Sequence, residues 1–184
     1  MRRMPELVEP TVTVRSSFLA AMDEFVAEGR GGDDTMLGRD LAEWGGRWTT
    51  EPGFTAYVDT VLADRQLNAR LPPGWVPSTM LWWVDGGVYL GRIAIRHWLT
   101  PALRAAGGHI GYDVRRSARR HGHATAMLAA ALPVAAHLGI DPALVTCDST
   151  NVGSRKVIET NGGILHDHIG EKLLFWVATS PADQ

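Results

Sequence analysis

Apolar residues recur in the first half of the chain at three- and four-residue spacings, the period of amphipathic helices. They predict helices over 13–28 and 53–67, preceded by a short strand within 1–10. The segment 33–48 places acidic residues beside two tryptophans without a clean period, so we expect a loop there with at most a helical turn. Prolines and a glycine at 71–77 predict a linker loop, and the helices before it are too short for a core of their own.

The second half of the chain alternates strand and helix patterns. Apolar runs over 79–85 and 88–96 flank Gly86-Gly87, which indicates a β-hairpin, and a strand over 108–114 is expected to pair with its second arm. The remaining predicted elements are a helical turn over 98–104, a helix over 122–138, a strand over 143–147, a helix over 152–160, and closing strands over 164–169 and 172–177. This order predicts a mixed α/β fold, with the last two helices as right-handed crossovers between parallel strands.

The bulk composition narrows the class of protein. The chain has 184 residues, enough for a single domain with a real core, which we place over 1–184. A net charge of −2 does not call for a nucleic-acid partner. The lone cysteine, Cys147, fits a reducing compartment. No apolar run approaches the roughly 20 residues of a membrane span, and the N-terminus lacks an apolar signal segment. We therefore expect a cytoplasmic protein without a membrane partner.

Candidate chemistry is concentrated in the stretch YDVRRSARRHGHAT, residues 112–125. A predicted strand ends at Val114, and the following turn passes through Gly122 into a predicted helix. The first N–H groups of a helix have no partner within the helix, and the helix dipole adds partial positive charge there. The backbone N–H groups of 120–125 therefore suit a phosphate-bearing ligand.

Two motifs in this region resemble the GNAT superfamily of N-acetyltransferases. Arg119-x-x-Gly122-x-Ala124 is similar to the family's acyl-CoA-binding signature, Q/R-x-x-G-x-G/A. Downstream, NVGSRKVIETNG at 151–162 resembles the second signature, an Asn after one strand and a helix that ends in Gly. The lead-in GGHIGY and the ending SRKVIETNGG also resemble a bacterial subgroup described only as predicted acetyltransferases. Both motifs lie in the family's order, each on a predicted strand–helix junction.

The resemblance implies an α/β GNAT fold: a mixed sheet of six to seven strands, with helices on both faces and splayed central parallel strands. It implies acetyl-CoA as co-substrate, with the pantetheine arm between the fourth and fifth strands, and no metal ion. Tyr112 would direct its N–H to the thioester carbonyl, where negative charge develops during amine attack. The Val114 backbone would pair with a pantetheine amide; an ordinary strand edge is the alternative. Dimers are frequent in the resembling family, which makes a homodimer compatible.

The implied donor site draws on three segments of the chain. Its residues are Tyr112, Asp113, Val114, Arg119, Arg120, His121, Gly122, His123, Ala124, Thr125, Asn151 and Ser154. Gly122 would let the backbone approach pyrophosphate, or it merely starts a helix. Arg119 and Arg120 would add charge-assisted contacts to phosphate, or form a solvated basic turn. Asn151 would contact the CoA arm, or cap the helix that follows.

The acid and base of the reaction depart from the common pattern. Many family members have a Tyr seven residues after the Asn to protonate the leaving thiolate, and this chain has Ile158 there. Water or another group would then supply that proton. The candidate bases are His109, which has a suitable pKa range but could be a core histidine, Asp148 after the fifth strand, and Asp113, which we expect to face the surface. A water relay is the alternative to a single base.

The acceptor site would come from the N-terminal half. Acidic residues of 33–48 beside Trp44 and Trp48 could receive a cationic amine through charge pairing and cation–π contact; a solvated acidic loop anchored by the tryptophans is the alternative. Of the adjacent Trp82 and Trp83, one is expected to line the cleft. Cys147 lies in an apolar run, so we expect a small buried residue rather than a nucleophile.

Together these features predict an acetyl-CoA-dependent N-acetyltransferase. We expect Tyr112, His109 and Asp148 to be the catalytic residues. The acceptor would be a small-molecule amine, such as an amino acid, a polyamine or an amine-bearing antibiotic, which attacks the acetyl carbonyl in a ternary complex. A protein N-terminus or lysine is the second choice of acceptor, and a non-catalytic acyl-CoA-binding or sensing domain is the rival from another class.

Overall fold

A computed structural model describes residues 4–180. The strands are β1 (Glu6–Val8), β2 (Ser78–Asp85), β3 (Val88–Arg96), β4 (Ile110–Val114), β5 (Ala143–Asp148), β6 (Ile164–Ile169) and β7 (Lys172–Val177). The helices are α1 (Arg15–Ala27), α2 (Met36–Trp44), α3 (Glu51–Ala63), α4 (Pro101–Ala105), α5 (His123–His137) and α6 (Val152–Thr160). Short 3₁₀ turns occupy Val12–Val14, Arg30–Gly32 and Arg116–Ala118. The predicted strands and long helices are confirmed; residues 1–3 of the predicted first strand lie outside the described part.

The expectation of a loop over 33–48 is wrong, because α2 occupies its centre. Thr35 caps this helix by accepting the Gly38 N–H at 3.1 Å, a common N-cap arrangement. Leu37 and Trp44 are buried along one side. A nine-residue helix has only about two turns, which is too short for a clear hydrophobic period. The acidic residues among its apolar positions obscured the pattern further.

The sheet is mixed and seven-stranded, in the order β1-β2-β3-β4-β5-β7-β6. The β4–α5–β5 connection joins parallel neighbours, as predicted. The α6 connection also joins parallel strands, as predicted, but β5 and β6 are not neighbours, because β7 is inserted antiparallel between them. The C-terminal hairpin thus covers β5 on the side away from β4.

Helices cover both faces of the sheet, and each face has its own apolar core. Core residues of α5 and α6 pack on one face with Trp83, Ile93 and Val145. Core residues of α1, α2 and α3 pack on the other face with Trp82 and Ala94. Trp82 and Trp83 therefore point to opposite faces as predicted, but both are buried, and the expectation that one lines the cleft is wrong. Within residues 4–180, no helix has the length and apolar character needed to cross a bilayer.

The centre of the sheet opens between β4 and β5. These parallel strands share one paired position, Ile110 with Val145, after which they separate. Beyond that point β4 continues along β3, with Val114 paired to Gly91. The predicted splay of the fourth and fifth strands is confirmed, and it leaves the β5-facing edge of β4 without a strand partner.

Candidate active site

The open edge of β4 presents the backbone of Tyr112 and Val114. The Arg115 N–H donates to the Leu90 carbonyl of β3 at 2.9 Å. Successive residues of an antiparallel strand direct their N–H and C=O groups to opposite sides. Tyr112 and Val114, at odd steps from Arg115, therefore direct these groups away from β3 and into the splay. This orientation is the one that the sequence motif implied for both residues.

The turn before α5, which we call the donor turn (Arg119–Thr125), leaves helix N–H groups open. Gly122 is the N-cap residue with φ of +79°, and no side chain among residues 4–180 caps this helix. By contrast, Thr35, Thr50, Thr100 and Asn151 accept N–H groups at the starts of their helices. Arg120 also has a positive φ, +64°. The donor turn thus offers unpaired backbone donors at the positive end of a 15-residue helix.

Side chains of the donor turn fasten it to α1. Both terminal nitrogens of Arg119 contact the carboxylate of Glu28, and its Nε donates to the Val114 carbonyl at 2.9 Å. This arrangement differs from the phosphate contact and from the solvated turn that the sequence allowed for Arg119, because the guanidinium is already committed. Both arginines are exposed, but Arg120 has no carboxylate partner within residues 4–180, whereas Arg119 is paired with Glu28.

Of the other residues of the donor turn, some are exposed and some contact the core. His121 is exposed. The Nδ1 of His123 accepts the Trp83 indole N–H at 3.3 Å, and burial lowers the pKa of His123, with a further contribution from His121. Ala124 packs against the core, and the Thr125 carbonyl accepts from Asn161 at 3.2 Å. The side chains of His123 and Ala124 therefore support the turn, and its backbone remains the surface for a ligand.

A cavity of about 870 Å³ lies at the splay. It brings together five predicted site residues from different elements, namely Tyr112, Asp113, Asp148, Asn151 and Ser154. Residues of α2 and of the 73–76 loop form the opposite wall. The donor turn does not line this cavity, so the predicted site divides into a turn at the start of α5 and a chamber at the splay.

Two hydroxyl groups meet in the chamber. The Tyr112 hydroxyl and the Ser154 Oγ are 2.7 Å apart. Burial raises the pKa of Tyr112 to about 12, although the Ser154 hydrogen bond acts in the opposite direction. The phenol therefore carries its proton at neutral pH. Ile158, in contrast, is fully buried in the core, and its side chain supplies nothing to the chamber.

Asn151 has the capping role that the sequence left open. Its Oδ1 accepts the Ser154 N–H at 3.0 Å, at the start of α6. Asn151 also lines the chamber. Capping uses the side-chain oxygen, so the Nδ2 group is compatible with a contact to the CoA arm, which stays a prediction.

Asp113 lines the chamber, and the expectation that it faces the surface is wrong. Its Oδ1 accepts from both terminal nitrogens of Arg30 at 3.1 Å, and its Oδ2 lies 3.7 Å from the Nε of Arg92. Arg92 is buried and also contacts Asp40, and its Nη2 has no partner among residues 4–180. These pairs join β3 and β4 to α2 and to the turn before it.

His109 has the core role that the sequence left as its alternative. Its Nδ1 accepts the Leu144 N–H at 2.9 Å, across the start of β4 and β5. Burial lowers the pKa of His109, and Arg104 and Arg96 lower it further. His109 does not line the chamber. This geometry supports a histidine that joins two strands.

The end of β5 contributes one charged and one apolar group to the chamber. Asp148 pairs with Lys172 at 2.6 Å, and about half of its side chain is exposed. Burial raises the pKa of the Cys147 thiol, and Asp148 raises it further. A protonated, buried thiol agrees with the expectation of a small buried residue at Cys147.

The acidic segment is divided between chamber and core. Asp33 and Asp34 line the chamber, and Asp33 is paired with Arg30. Asp40 instead accepts the Tyr57 hydroxyl at 2.9 Å. Trp44 and Trp48 are buried in the α1–α3 core, as the anchoring alternative expected, and the cation over the Trp44 ring is the chain's own Arg47, 4.0 Å from the ring centroid.

Sequence reasoning missed the arginines of the chamber. Arg30, Arg39, Arg92 and Arg96 all line it. Arg92 and Arg96 lie on either side of Ala94 at two-residue spacing in β3, so alternation directs all three to one face. This two-residue spacing was visible in the sequence. Its meaning became clear only with the structure, which shows the face of the sheet on which the chamber lies.

Comparison with known proteins decides the family. The model described as "Acetyltransferase (GNAT) domain" matches residues 36–164, more than half of the chain. The chain belongs to the GNAT acetyltransferase family. Membership confirms the predicted family, the fold class and the enzyme class, an acetyl-CoA-dependent N-acetyltransferase. No curated protein matches the sequence.

Solved structures share the fold of this GNAT chain. Mycobacterium smegmatis RimJ, in complex with CoA-disulfide, has a TM-score of 0.63 at 16% identity, over 94% of this chain and 80% of RimJ. RimL, a ribosomal alpha-N-protein acetyltransferase in complex with coenzyme A, has 0.60 at 16% identity, over 95% and 94%. The microcin self-immunity acetyltransferase MccE, in complex with acetyl-CoA and AMP, has 0.60 at 11% identity, over 94% and 91%. At these identities the likeness concerns the fold alone.

Proposed function

We propose that this GNAT enzyme acetylates the primary amine of a small molecule, by direct transfer from acetyl-CoA in a ternary complex. The observation that carries the proposal is the chamber at the splay, where the open backbone of β4 faces a space walled by α2 and the 73–76 loop. A cleft that is lined on the acceptor side by the chain's own elements suits a compact molecule.

The donor site fits acetyl-CoA at two separate places. The uncapped start of α5, with Gly122 in a left-handed conformation, provides backbone donors suited to pyrophosphate. Exposed Arg120 adds a cation beside it. The Tyr112 backbone and the Val114 N–H face the splay and suit the amide-bearing pantetheine arm, and Asn151 also lines this space. Acetyl-CoA supplies an acetyl group activated as a thioester.

The chemistry assigned to β4 is stabilisation of charge. The acceptor amine, after losing a proton, forms an N–C bond to the acetyl carbonyl as the C–S bond breaks, and the sulfur leaves as a thiolate that must gain a proton. The Tyr112 N–H would donate to the carbonyl oxygen as negative charge develops on it. A fixed donor of this kind is typically worth about 10²–10³ in kcat.

The Tyr112–Ser154 pair is the group best suited to protonate the thiolate. The phenol keeps its proton at neutral pH, and its hydroxyl lies 2.7 Å from the Ser154 Oγ in the chamber wall. The pair would replace the Tyr that many relatives carry at the position of Ile158. As the proton acceptor for the incoming amine, we retain Asp113 and Asp148, because their carboxylates line the chamber and the His109 ring does not.

The experiment is release of free CoA thiol from acetyl-CoA over a panel of amino acids, polyamines and amine-bearing antibiotics, with mass spectrometry of the products. We expect turnover with at least one small amine and a product 42 Da heavier, the mass of an added acetyl group. Tight acetyl-CoA binding without turnover on any amine would support the non-catalytic rival. Turnover on peptide N-termini alone would support protein acetylation, which the likeness to RimL makes the second candidate.

A further inference from the structure

Charge pairing in the chamber leaves one partly buried cation without a carboxylate. Arg30 contacts Asp33 and Asp113, and Arg92 contacts Asp40. Lys172, at the far side, pairs with Asp148. Within residues 4–180, no carboxylate lies within 4 Å of Arg96. Arg39 also lacks one, but it is exposed at the rim and lies over Trp75.

The contacts of Arg96 are all neutral. Its Nη1 donates to the carbonyls of Gly107 and Gly108 at 2.9 and 3.1 Å, and its Nη2 lies 3.4 Å from the Met36 sulfur. A guanidinium has five N–H donors. Its Nε, and one N–H of Nη2, therefore have no partner within the described chain. Nε and Nη2 are neighbours on one edge of the group, the spacing that matches the two oxygens of a carboxylate, and the only protein contact of these two nitrogens within residues 4–180 is the weak thioether acceptor of Met36.

Small residues keep the space beside Arg96 open and close to the reaction. Ala94 and Gly111 face each other on β3 and β4, and both line the chamber. A Cβ on Gly111 would lie 3.7 Å from both terminal nitrogens of Arg96, so the guanidinium lies directly over this glycine. Gly111 precedes Tyr112, and one residue of strand spans only about 3.3 Å. A carboxylate bound to Arg96 would therefore lie close enough to the splay to belong to the same small molecule as the reacting amine.

We propose that Arg96 is the specificity-determining residue of the acceptor site, and that it binds a carboxylate carried close to the amine, as in an α-amino acid. The proposal rests on the acetyltransferase function proposed above and narrows its acceptor. Among the small amines considered, it favours amino acids and disfavours polyamines, whose added positive charge would meet an unpaired guanidinium.

The test uses matched acceptors on the full-length enzyme. Glycine, alanine and phenylalanine are each compared with their carboxamide and with the amine that lacks the carboxyl group. Rates are expressed per unprotonated amine, because these amines differ in basicity. We expect kcat/KM to be 10- to 100-fold higher for at least one acid than for its two analogues, the size of a charge-assisted bidentate contact.

Variants assign this preference to the residue. Arg96→Met should lower kcat/KM for the acid 10- to 100-fold more than kcat/KM for the carboxyl-free amine, and so remove the preference for the acid. Arg96→Lys should retain part of the preference, because it keeps the positive charge but loses the two parallel N–H donors of the guanidinium. Arg104→Gln is the control of equal charge change, since Arg104 is exposed and does not line the chamber.

The outcomes separate this inference from the proposed function. Turnover of amines with equal kcat/KM for acid, amide and carboxyl-free amine would overturn the role of Arg96 and leave the acetyltransferase intact. An equal loss on all three acceptors in Arg96→Met would also overturn it, since that is the effect of a merely structural residue. Absence of turnover on every amine would overturn both.

Discussion

At the scale of single residues, a glycine can be required at position 122 for two different reasons: its left-handed backbone, or the space that it leaves for a ligand. Its φ is +79°, yet a Cβ added there would meet no atom within 4 Å. Gly139 has the same two properties, with φ of +77°, just beyond the other end of α5. Replacing either glycine by alanine should cost about 1 kcal/mol of stability, the strain of a left-handed alanine.

Only one of these two substitutions should affect the donor. We expect Gly122→Ala to raise the KM for acetyl-CoA about tenfold or more, because its methyl group would project where pyrophosphate approaches the turn. Gly139→Ala should leave that KM unchanged. Urea denaturation and initial-rate kinetics measure the two effects. Equal KM values for both variants would show that pyrophosphate does not contact the turn at Gly122.

The hydroxyl pair yields a second prediction at this scale. Tyr112→Phe should lower kcat about 10²-fold, the usual contribution of a positioned proton donor, with little change in the KM for acetyl-CoA. Ser154→Ala should have a similar effect, and the double variant should lose no more than either single one if the pair acts as a unit.

Tyr89 is the matched control for this measurement. Its hydroxyl is buried without a hydrogen-bond partner within residues 4–180, and it does not line the chamber. Tyr89→Phe should therefore leave kcat unchanged. A kcat for Tyr112→Phe within twofold of the parent would mean that water protonates the thiolate.

Several residue roles were beyond sequence reasoning because their partners are distant along the chain. Asp113 faces the chamber because Arg30, 83 residues away in sequence, meets it there. The structural role of His109 depends on its hydrogen bond with the Leu144 N–H, in the neighbouring strand. In contrast, the Asn151 cap was one of the two roles that the sequence offered, because its hydrogen-bond donor, the Ser154 N–H, lies only three residues on. Local geometry is encoded locally, and side-chain partners across the sheet are not.

At the scale of elements, the end of α3 contains a carboxylate whose negative charge lowers the stability of the folded state. Burial raises the pKa of Asp64 to about 6, and Asp40 and Glu43 contribute to the same shift. Asp64 also terminates α3 as its C-cap residue, where the helix dipole disfavours a negative charge. Since the folded-state pKa lies above the ordinary value of 3.8, the folded state binds more protons between these pH values, and stability falls as pH rises through them.

Removing this charge should therefore stabilise the protein at neutral pH. We expect Asp64→Asn to gain about 1 kcal/mol at pH 7.5, a value discounted for partial exposure, and to gain little at pH 4. Asp59→Asn is the control, because Asp59 is exposed on the same helix. Chemical denaturation at both pH values gives the measurement. A gain that is independent of pH would assign the effect to helix propensity or capping instead.

Elements differed in how well the sequence predicted them, for physical reasons. The bounds of α6 match the prediction, because an Asn cap and an Asn-Gly stop mark both ends. The helix α2 was missed because it is short and because Asp40, which looks solvent-facing in sequence, turns inward to Arg92 and Tyr57. The insertion of β7 beside β5 was missed because strand order in a hairpin is decided by packing, which no local pattern reports.

At the scale of the whole molecule, the splay divides the amides of one strand into two populations. The Asp113 N–H is directed to β3, whereas those of Tyr112 and Val114 are directed into the opening between β4 and β5. Amides that are open to water exchange hydrogen faster than amides in a ladder. We expect Tyr112 and Val114 to exchange faster than Asp113 in the free protein.

Acetyl-CoA should protect the Tyr112 and Val114 amides alone. Residue-resolved hydrogen exchange with and without CoA should show slowing of at least tenfold at Tyr112 and Val114 beyond any global effect, and no such additional slowing at Asp113, which serves as an internal control on the same strand. Uniform slowing of all three amides would indicate general stabilisation by binding rather than pairing within the splay.

The C-terminal end of α1 touches both halves of the divided site. Glu24 pairs with Arg115, just before the donor turn, and Glu28 pairs with Arg119 within it. Arg30, two residues beyond Glu28, pairs with Asp113 in the chamber. We expect a displacement of this short segment by one substrate to be transmitted to the surface proposed to meet the other. The affinities for acetyl-CoA and for the amine would then be thermodynamically linked. Whatever factor the first substrate imposes on the second, the second must impose on the first.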